Sequence, residues 1–547
     1  MHTDLLLTGG RIFLGLDQGE TDALAIAANR VVASGAAARD AAGPGTRRID
    51  LAGRLAVPAF NDCHMHLMSV GLGLEQVNLR PEAGVRDIAA ILARVRAAAA
   101  AKAPGEWILG RGYDHGELRE GRHPSADELD AAAPDHPVYL VRTCGHVAVA
   151  NTRALRAAGI GPETPAPPGG LIERRENRLT GLLAEQALRL VAAVMPEVSD
   201  ARMVEAIERA GRHMLEQGVA SVMDANVGPR RGLAEIDAYQ TAKRDGRLPV
   251  RAYLCLYGHP EPEGIVRRAH AAGHTHLSGD DFLRIGPVKV FADGSAGGRT
   301  AAMSAPYLGD DGAADGGRGV FVWDDATMHA LLREAHDLGY QLAIHAIGDA
   351  AIEQVLTGME KAGATPDRRH RIEHCGFVTP AQRARMKARG ILPVPQPIFI
   401  YEFGDLYIRV CGRERALASY PMRTWMEEGH FPGASSDAPV SSTDPCRNLF
   451  TMTTRRTSKG TVLNAAEALS LPQAIAALTF NGAYVSKCED RKGTLAPGML
   501  ADVTVLSRDP FRDGVEVLEH ETRADITIVD GRVGFDRHGE VRHGEVR

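Results

Sequence analysis

Five side chains able to bind metal ions or move protons stand at the ends of strand-like runs, and a sixth, a lysine, lies inside another such run. His64 and His66 follow the first of these runs, and residues two apart in a strand point to the same side, so both imidazoles can hold one ion. An isolated pair of this kind also occurs among surface and core histidines. Two later histidines, a lysine and an aspartate complete the pattern, and the aspartate can both ligate a metal and accept a proton. The pattern predicts a two-metal hydrolytic site. The six residues are His64, His66, Lys289, His345, His374 and Asp437.

Lys289 is the most unusual of the six, because it lies between two valines in an apolar run and the chain has only eight lysines. One interpretation is a buried ion pair with a carboxylate such as Asp293. Beside two dications, an ammonium would be repelled by roughly 8 kcal/mol per ion, at an effective dielectric constant of about 20 and a separation of about 4 Å. Burial and positive neighbours lower the pKa of a lysine. The neutral amine could then add carbon dioxide and become a carbamate anion that bridges two metals.

The elements that must position these side chains alternate between apolar strands and amphipathic helices, which is the pattern of an α/β fold with a parallel sheet. Eight such strands close a (β/α)8 TIM barrel, whose functional residues lie at the carboxyl ends of the strands. The predicted strands are 55–60, 219–224, 250–257, 284–291, 341–346, 370–374, 391–395 and 432–437. The predicted helices are 200–217, 233–245, 324–339, 348–362, 379–389 and 421–429.

The length of 547 residues exceeds what one core usually supports, so more than one structural unit is expected. We predict that the barrel covers residues 55–489 and is interrupted after its first strand by an insertion, 74–199, that serves as a lid or substrate wall. Short strands at both chain ends predict a composite β-sandwich of residues 1–54 and 490–536. A repeated pentapeptide within 537–547 predicts a flexible tail.

The composition excludes several classes of protein. The net charge is −6 without a long basic tract, which argues against nucleic acid or an anionic membrane surface as a partner. No apolar stretch reaches the length of a membrane span, and the first residues do not resemble a secretory signal, so a cytoplasmic location is expected. Seven scattered cysteines favour reduced thiols over a disulfide framework or a cysteine-built zinc site.

Several short motifs contain these residues or lie near them: Pro58–His66, Val288–Ser295 with Arg299–Ala301, His345–Asp349, Arg371–His374, Ser435–Pro439 and Gly493–Asp502. Together they resemble the amidohydrolase superfamily, in the branch of metal-dependent hydrolases that includes N-substituted formamide deformylases. They follow the order expected for that family over nearly the whole chain.

The resemblance implies a ligand set and a cofactor. His64, His66 and Asp437 would hold one divalent metal, His345 and His374 a second, and Lys289 would bridge them as N6-carboxylysine. Zinc is the leading candidate because imidazole and carboxylate ligands suit it; iron, manganese and nickel also fit. A homodimer is an expectation that rests on the family.

The hypothesis for function is hydrolysis of an amide-like C–N bond, N-acyl or N-formyl, of a small molecule. A hydroxide shared by the metals would attack, and Asp437 would act as general base and then as general acid. Substrate contacts are less specific in the sequence, and packing is at least as good an explanation for each residue. The candidates are Tyr113, Asp114, His146, Arg299, Phe399 and Tyr401.

Three alternatives stay open. A cyclic amide, carbamate or ester could be the substrate, since fold does not determine substrate. Deamination of a heterocycle is a second enzymatic possibility, but it usually employs a His-x-x-Glu motif where this chain has His345-Ala-Ile-Gly348. The third is a non-catalytic barrel that serves as a scaffold, which the complete set of ligand residues disfavours.

Overall fold

The computed structural model describes residues 3–143, 145, 147–167, 170–185, 187–309, 312–314 and 316–541. Two compact units are present: one consists of the residues up to Val70 and from Met203 onward, and the other is Gly71–Arg202. The six cysteines within the described residues are buried and unpaired. None of the helices described is long and apolar enough to cross a membrane.

The strands of the described residues are, in chain order, β1 (Leu5–Gly15), β2 (Gly19–Ala27), β3 (Arg30–Ser34), β4 (Arg47–Asp50), β5 (Leu55–Pro58), β6 (Phe60–Met65), β7 (Val77–Asn78), β8 (Ile108–Tyr113), β9 (Val138–Arg142), β10 (Val147–Ala150), β11 (Gly170–Arg175), β12 (Arg178–Glu185), β13 (Val219–Val227), β14 (Arg251–Tyr257), β15 (Leu283–Phe291), β16 (Leu342–Ala346), β17 (Arg371–His374), β18 (Leu392–Val394), β19 (Val503–Leu506), β20 (Ala524–Val529) and β21 (Arg532–Asp536).

The α-helices are α1 (Gly35–Asp40), α2 (Leu67–Leu74), α3 (Ile88–Ala100), α4 (Ala126–Ala132), α5 (Thr152–Ala157), α6 (Leu188–Ala192), α7 (Asp200–Glu216), α8 (Ala234–Arg244), α9 (Val266–Ala271), α10 (Asp325–Asp337), α11 (Asp349–Lys361), α12 (Pro380–Arg389), α13 (Ile398–Cys411), α14 (Arg413–Ala418), α15 (Met422–Glu427), α16 (Pro445–Thr454), α17 (Leu471–Leu478), α18 (Phe480–Val485) and α19 (Pro510–Asp513). Three short 3-10 helices cover Pro81–Ala83, Ala465–Glu467 and Val515–Leu518.

Seven parallel strands form the barrel sheet, in the order β6, β13, β14, β15, β16, β17, β18. Residues 432–438 lie between its two edges. On one side Gly433 and Ser435 donate backbone hydrogen bonds to Pro393 and Pro395, and on the other Asp437 donates to His64. The chain therefore folds as an α/β TIM-type barrel, and the predicted eighth strand is an extended segment rather than a regular strand.

The predicted first barrel strand, 55–60, was wrong in its position. Residues 55–58 form β5, which pairs with β1 and β19 in the sheet of the chain ends, and the barrel strand is β6, which pairs with β13. Residues 55–60 are all apolar and buried. Their hydrophobic pattern therefore could not indicate that the segment is divided between two sheets.

Strands from both chain ends make one sheet, in the order β21, β20, β19, β5, β1, β2, β3, with β4 paired to β1. Its core contains side chains from both ends, such as Leu7, Ile26, Val505 and Ile528. Because β5 belongs to this sheet, the sheet continues past the predicted boundary at residue 54. Residues 537–541 of the predicted tail are described, and Val541 is buried in the same core.

The unit Gly71–Arg202 contains the predicted insertion and has its own sheet, in the order β11, β12, β10, β9, β8, β7. Strands β7, β8 and β9 are parallel, and the remaining pairs are antiparallel. Two hydrophobic clusters pack this unit, one around Ile91 and Leu140 and the other around Leu155 and Leu183. It therefore has cores of its own.

One βα unit shows how the local sequence places residues of the candidate site. After β17, Thr379 and Gln382 form a capping box and Pro380 occupies the first turn, so α12 begins there. The helix ends at Gly390, whose φ of 63° suits glycine. The chain then enters β18, which brings Gln396 beside the end of β17.

Candidate metal centre

His64, His66 and Asp437 converge at the carboxyl end of β6. The Nε2 atoms of His66 and His64 lie 3.1 and 3.4 Å from Asp437 Oδ1. One ligand atom from each of the three residues lies within 4.8 Å of the other two. Burial alone would raise the pKa of Asp437, but the neighbouring imidazoles hold it well below its usual range. The three side chains could hold one divalent ion.

Asp437 also adopts an unusual backbone conformation. Its φ is 56°, and His374 has a φ of 67°, which places both in the left-handed region that non-glycine residues rarely enter. Such strain persists where the surrounding structure determines it, and it is concentrated at functional sites. At Asp437 the backbone N–H donates to His64 O at 2.8 Å, which holds the carboxylate beside the histidine pair.

Lys289 is buried in the same region, with 1% of its surface exposed. Its Nζ lies 3.3 Å from His64 Nε2 and 4.7 Å from the centre of the Phe291 ring, and it has no ion pair with a carboxylate of the described residues. Burial lowers the pKa of its ammonium group, although Glu373 and Asp437 act in the opposite direction. The alternative interpretation, a pair with Asp293, does not hold in this structure.

Asp293 instead holds backbone groups of the neighbouring loops. Its carboxylate accepts hydrogen bonds from the N–H groups of Ala302, Ile347 and Gly348 at 2.9 to 3.0 Å. Its Oδ1 also lies 3.3 Å from His345 Nε2. Asp293 therefore connects the loop after β15 to the loop after β16, next to a predicted ligand.

His345 and His374 lie side by side at the ends of β16 and β17. Their ring centres are 4.3 Å apart, and the His374 ring is 4.9 Å from that of His64. His345 Nε2 donates to the carbonyl of Gly294 at 3.1 Å. Burial and the neighbouring His345 keep the pKa of His374 well below its usual value, so this imidazole stays neutral and able to bind a metal.

Three buried residues orient the histidines, and none of them had a predicted role. Arg371 and Glu373 belong to a motif that the sequence analysis identified, whereas Gln396 belongs to none. Glu373 accepts a hydrogen bond from His64 Nδ1, and Arg371 donates to Glu373 Oε2 at 2.8 Å. Gln396 Oε1 accepts from His374 Nδ1 at 2.6 Å. A metal-binding histidine commonly donates its other ring N–H to such an acceptor. The role of Glu373 could have been predicted from the sequence, because this carboxylate directly precedes His374 in a buried strand. No sequence feature of that kind indicated the role of Gln396.

The predicted substrate residues have different surroundings. Phe399 is buried and stacks on His374, with ring centres 6.2 Å apart, whereas the Tyr401 hydroxyl donates to Glu519 at 3.1 Å. Arg299 lies in the loop after β15 with a φ of 57°. The structure thus brings Phe399, but not the Tyr401 hydroxyl, to the histidines.

The remaining candidates belong to the unit Gly71–Arg202. Tyr113 is fully buried in its core, with its hydroxyl 2.9 Å from His123 Nδ1. Asp114 accepts a hydrogen bond from Arg142 at 2.7 Å. His146 lies outside the described residues.

The residues present fit a divalent metal. Asp437 Oδ1 is buried and accepts no hydrogen bond from the described residues, although two imidazole nitrogens point toward it. A buried carboxylate oxygen without a partner is costly, and a cation between it and the imidazoles would remove that cost. Imidazole with carboxylate is a donor set that zinc and related ions prefer.

The chain is similar to known proteins over most of its length. A family model described as the amidohydrolase family matches residues 47–535. The amidohydrolase YtcJ of Bacillus subtilis (strain 168) is 30% identical over 97% of this chain and 99% of its own length. The N-substituted formamide deformylase of Arthrobacter pascens is 28% identical over 92% of each chain.

A solved structure is similar over the same extent. The crystal structure of a metal-dependent hydrolase from Pyrococcus horikoshii OT3 is matched with a TM-score of 0.76 and 29% identity. The match covers 93% of this chain and 98% of the other.

Proposed function

The chain belongs to the amidohydrolase family, and from that premise we propose that it hydrolyses an amide-like C–N bond of a small molecule, such as an N-acyl or N-formyl group. The observation that carries the proposal is the position of Asp437 Oδ1. This buried carboxylate oxygen accepts no hydrogen bond from the part of the chain that the structure describes, and it lies beside two imidazole nitrogens. The deformylase of Arthrobacter pascens, matched over nearly its full length, supports the choice of a C–N bond.

His64, His66 and Asp437 would hold one divalent ion, and His345 and His374 a second, with zinc the best match to these donors. Two ions held there would supply a water of lowered pKa and would polarise the substrate carbonyl. Two neighbouring side chains orient these ligands. Glu373 and Gln396 accept hydrogen bonds from the Nδ1 atoms of His64 and His374, which leaves a lone pair on each Nε2 atom for a metal ion.

Lys289 would act as the carboxylated bridge between the two groups of ligands. Because burial favours its neutral amine, the amine nitrogen can form a bond to the carbon of carbon dioxide and release one proton. The product is a carbamate anion with two oxygens. A carbamate anion at this position would balance part of the positive charge of the two ions.

Asp437 is the group that would move the proton. Its pKa is held well below the usual range by His64 and His66, so it is ionised and able to accept a proton from the attacking water. It would then deliver that proton to the departing nitrogen, which must leave as a neutral amine. The Phe399 ring, stacked on His374, offers an apolar surface for the substrate next to this position.

The substrate class can be tested with the metal-loaded protein and a panel of N-formyl, N-acetyl, carbamate, ester and cyclic amide compounds, together with amino-substituted heterocycles. We expect turnover of N-formyl or N-acetyl amines with release of the amine. Turnover confined to esters, or release of ammonia from heterocycles alone, would refute C–N hydrolysis of an acyl group.

The role of Asp437 predicts that Asp437→Asn lowers kcat by a factor of at least about 100 while KM changes little. Asp237→Asn, an exposed residue of α8, is the matched control and should keep full activity. Metal content is measured on both variants, because the kcat effect is interpreted only at equal loading. Near-normal kcat in Asp437→Asn with metal bound would exclude the proton-transfer role.

The bridging role of Lys289 gives a separate prediction. Lys289→Met replaces a buried amine with an apolar side chain of similar length, so we expect normal folding but a fall from two bound ions per chain to one or fewer. Elemental analysis after gel filtration measures this, and Lys459→Met at an exposed lysine is the control. Two tightly bound ions in Lys289→Met would show that the bridge is unnecessary.

A further inference from the structure

A polar cavity lies at the amino-terminal end of the barrel, and none of the predicted metal ligands lines it. The amino-terminal parts of four barrel strands, β6, β13, β14 and β15, form one side, and the segment that follows α18 forms the other. The cavity is lined by Asn61, Val222, Arg251, Ala252, Tyr253, Asp281, Arg284, Ser486, Cys488, Arg491, Lys492 and Leu500.

The cavity carries an excess of positive charge. Arg251 is balanced by Asp502 at 2.8 and 3.0 Å and by Asp530 at 2.9 Å, and Arg491 pairs with Asp281. Arg284 and Lys492 have no ion pair with any carboxylate of the described residues. Two basic residues that line the cavity thus have no counter-ion, and a cation in such a place attracts an anion. Burial lowers the pKa of Lys492, and an anion beside it would favour its charged form.

Two buried donors in the same wall have no acceptor. Tyr253 and Asn61 are only 7% and 5% exposed, and neither the Tyr253 hydroxyl nor Asn61 Nδ2 has a hydrogen-bond partner among the described residues. Burial raises the pKa of Tyr253, so its hydroxyl keeps the proton and can donate a hydrogen bond to an added acceptor. A buried donor without an acceptor destabilises the fold. An acceptor bound in the cavity could satisfy such a donor.

The size of the cavity limits what that acceptor can be. Its volume is about 30 Å³, and one water-sized atom needs roughly 10–15 Å³ on this measure. The space therefore suits a halide or a small planar oxyanion such as bicarbonate or nitrate, and is too small for an organic phosphate.

We propose that this cavity binds a small monovalent anion, held by Lys492, Arg284, the Tyr253 hydroxyl and the Asn61 amide. The bound anion connects the starts of β6, β14 and β15 to the segment 486–492, which leads to the sheet of the chain ends. Since it binds only where these parts meet, it stabilises the folded barrel with increasing concentration. This site does not depend on the proposed hydrolytic function.

The location is tested by crystallising the full chain with sodium bromide and collecting anomalous diffraction data. The proposal expects a bromide peak in this cavity, within hydrogen-bond distance of Lys492 Nζ or the Tyr253 hydroxyl. The absence of a bromide peak in the cavity, with peaks only at the protein surface, would overturn it.

The energetic effect is measured as the thermal unfolding midpoint while gluconate is replaced by chloride at constant ionic strength, which keeps screening unchanged. We expect the unfolding midpoint to rise with chloride concentration and then to saturate. A similar saturable rise with bicarbonate would identify an oxyanion as an equally suitable occupant. Lys492→Met and Tyr253→Phe should each raise the apparent Kd for chloride at least tenfold, whereas Lys459→Met should not.

Tyr253→Phe removes only an oxygen atom from the cavity wall, so it tests the proposal even if Lys492→Met fails to fold. Identical chloride titrations for the wild type and Tyr253→Phe, or an effect that rises linearly without saturation, would refute the site.

Discussion

Glu373 and Gln396 determine which nitrogen of each neighbouring histidine is available. The amide of Gln396 donates through Nε2 to Val394 O at 3.1 Å and to Ser435 Oγ at 2.9 Å, so its Oε1 must be the atom that faces His374. His374 Nδ1 therefore carries the proton, and its Nε2 keeps a lone pair. The Arg371 guanidinium lowers the pKa of Glu373 despite burial, which keeps Glu373 ionised as an acceptor for His64.

Gln396→Leu tests this orienting effect at the scale of one residue. It leaves His374 Nδ1 without an acceptor, and loss of such a partner typically lowers metal affinity by about 10- to 100-fold. Competition with a fluorescent chelator measures the affinity. Gln354→Leu, the same change in a buried glutamine of α11, is the control and should bind metal normally. Equal affinities in the two variants would mean that Gln396 has only a structural role.

Neighbouring elements of the barrel are joined by buried side chains as well as by strand pairing. His370, just before β17, accepts a hydrogen bond at Nδ1 from the backbone of Leu342 at 3.0 Å, at the start of β16. Its Nε2 therefore carries the proton and donates to His336 Nδ1 of α10, also at 3.0 Å. Burial and the neighbouring His336 lower the pKa of His370 to about 3, so the ring is neutral in the folded barrel.

This link predicts a pH dependence of stability. In the unfolded chain His370 titrates near its ordinary pKa of about 6.5, so between pH 3 and 6.5 the unfolded state binds more protons and acid favours unfolding. From pH 7 to pH 5 this one residue contributes a loss of about 2 kcal/mol. His370→Asn should lose correspondingly less over that interval, as measured by urea unfolding at both pH values. An equal loss in the two proteins would contradict the prediction.

At the scale of the whole chain, the sheet of the chain ends is attached to the barrel through buried charges. Arg251 begins β14, and its guanidinium bonds Asp502 before β19 and Asp530 after β20. The Arg251 and Asp502 side chains are 3% and 7% exposed. The hydroxyl of Thr504 in β19 also donates a hydrogen bond to the carbonyl of Gly218, in the turn before β13. Residues far apart in sequence therefore form one compact unit.

Arg251→Leu should destabilise this unit by about 3–5 kcal/mol, because it leaves the buried carboxylate of Asp502 without its partner. The matched control is Arg267→Leu, which removes an exposed pair with Glu334 and should change stability by less than about 1 kcal/mol. Urea unfolding midpoints compare the two variants. Similar midpoints would show that the buried cluster contributes no more than a surface pair.

The sequence by itself determined the family, the barrel and the identity of the candidate ligands. Strand periodicity and local motifs place His64, His345 and His374 at strand ends, and these are properties of short segments that tertiary packing did not change. For the same reason the helices from α10 to α12 begin and end within a few residues of their predicted limits.

Only the tertiary structure decided which distant groups meet. It assigned Leu55–Pro58 to the sheet of the chain ends, gave Asp293 to backbone N–H groups instead of Lys289, and placed Gln396 behind His374. It also left the hydroxyl of Tyr253, which lines the cavity, without a hydrogen-bond partner among the described residues. Hydrogen-bond partners and buried contacts depend on the packing of segments far apart in the chain, and local patterns of hydrophobicity carry no information about that packing.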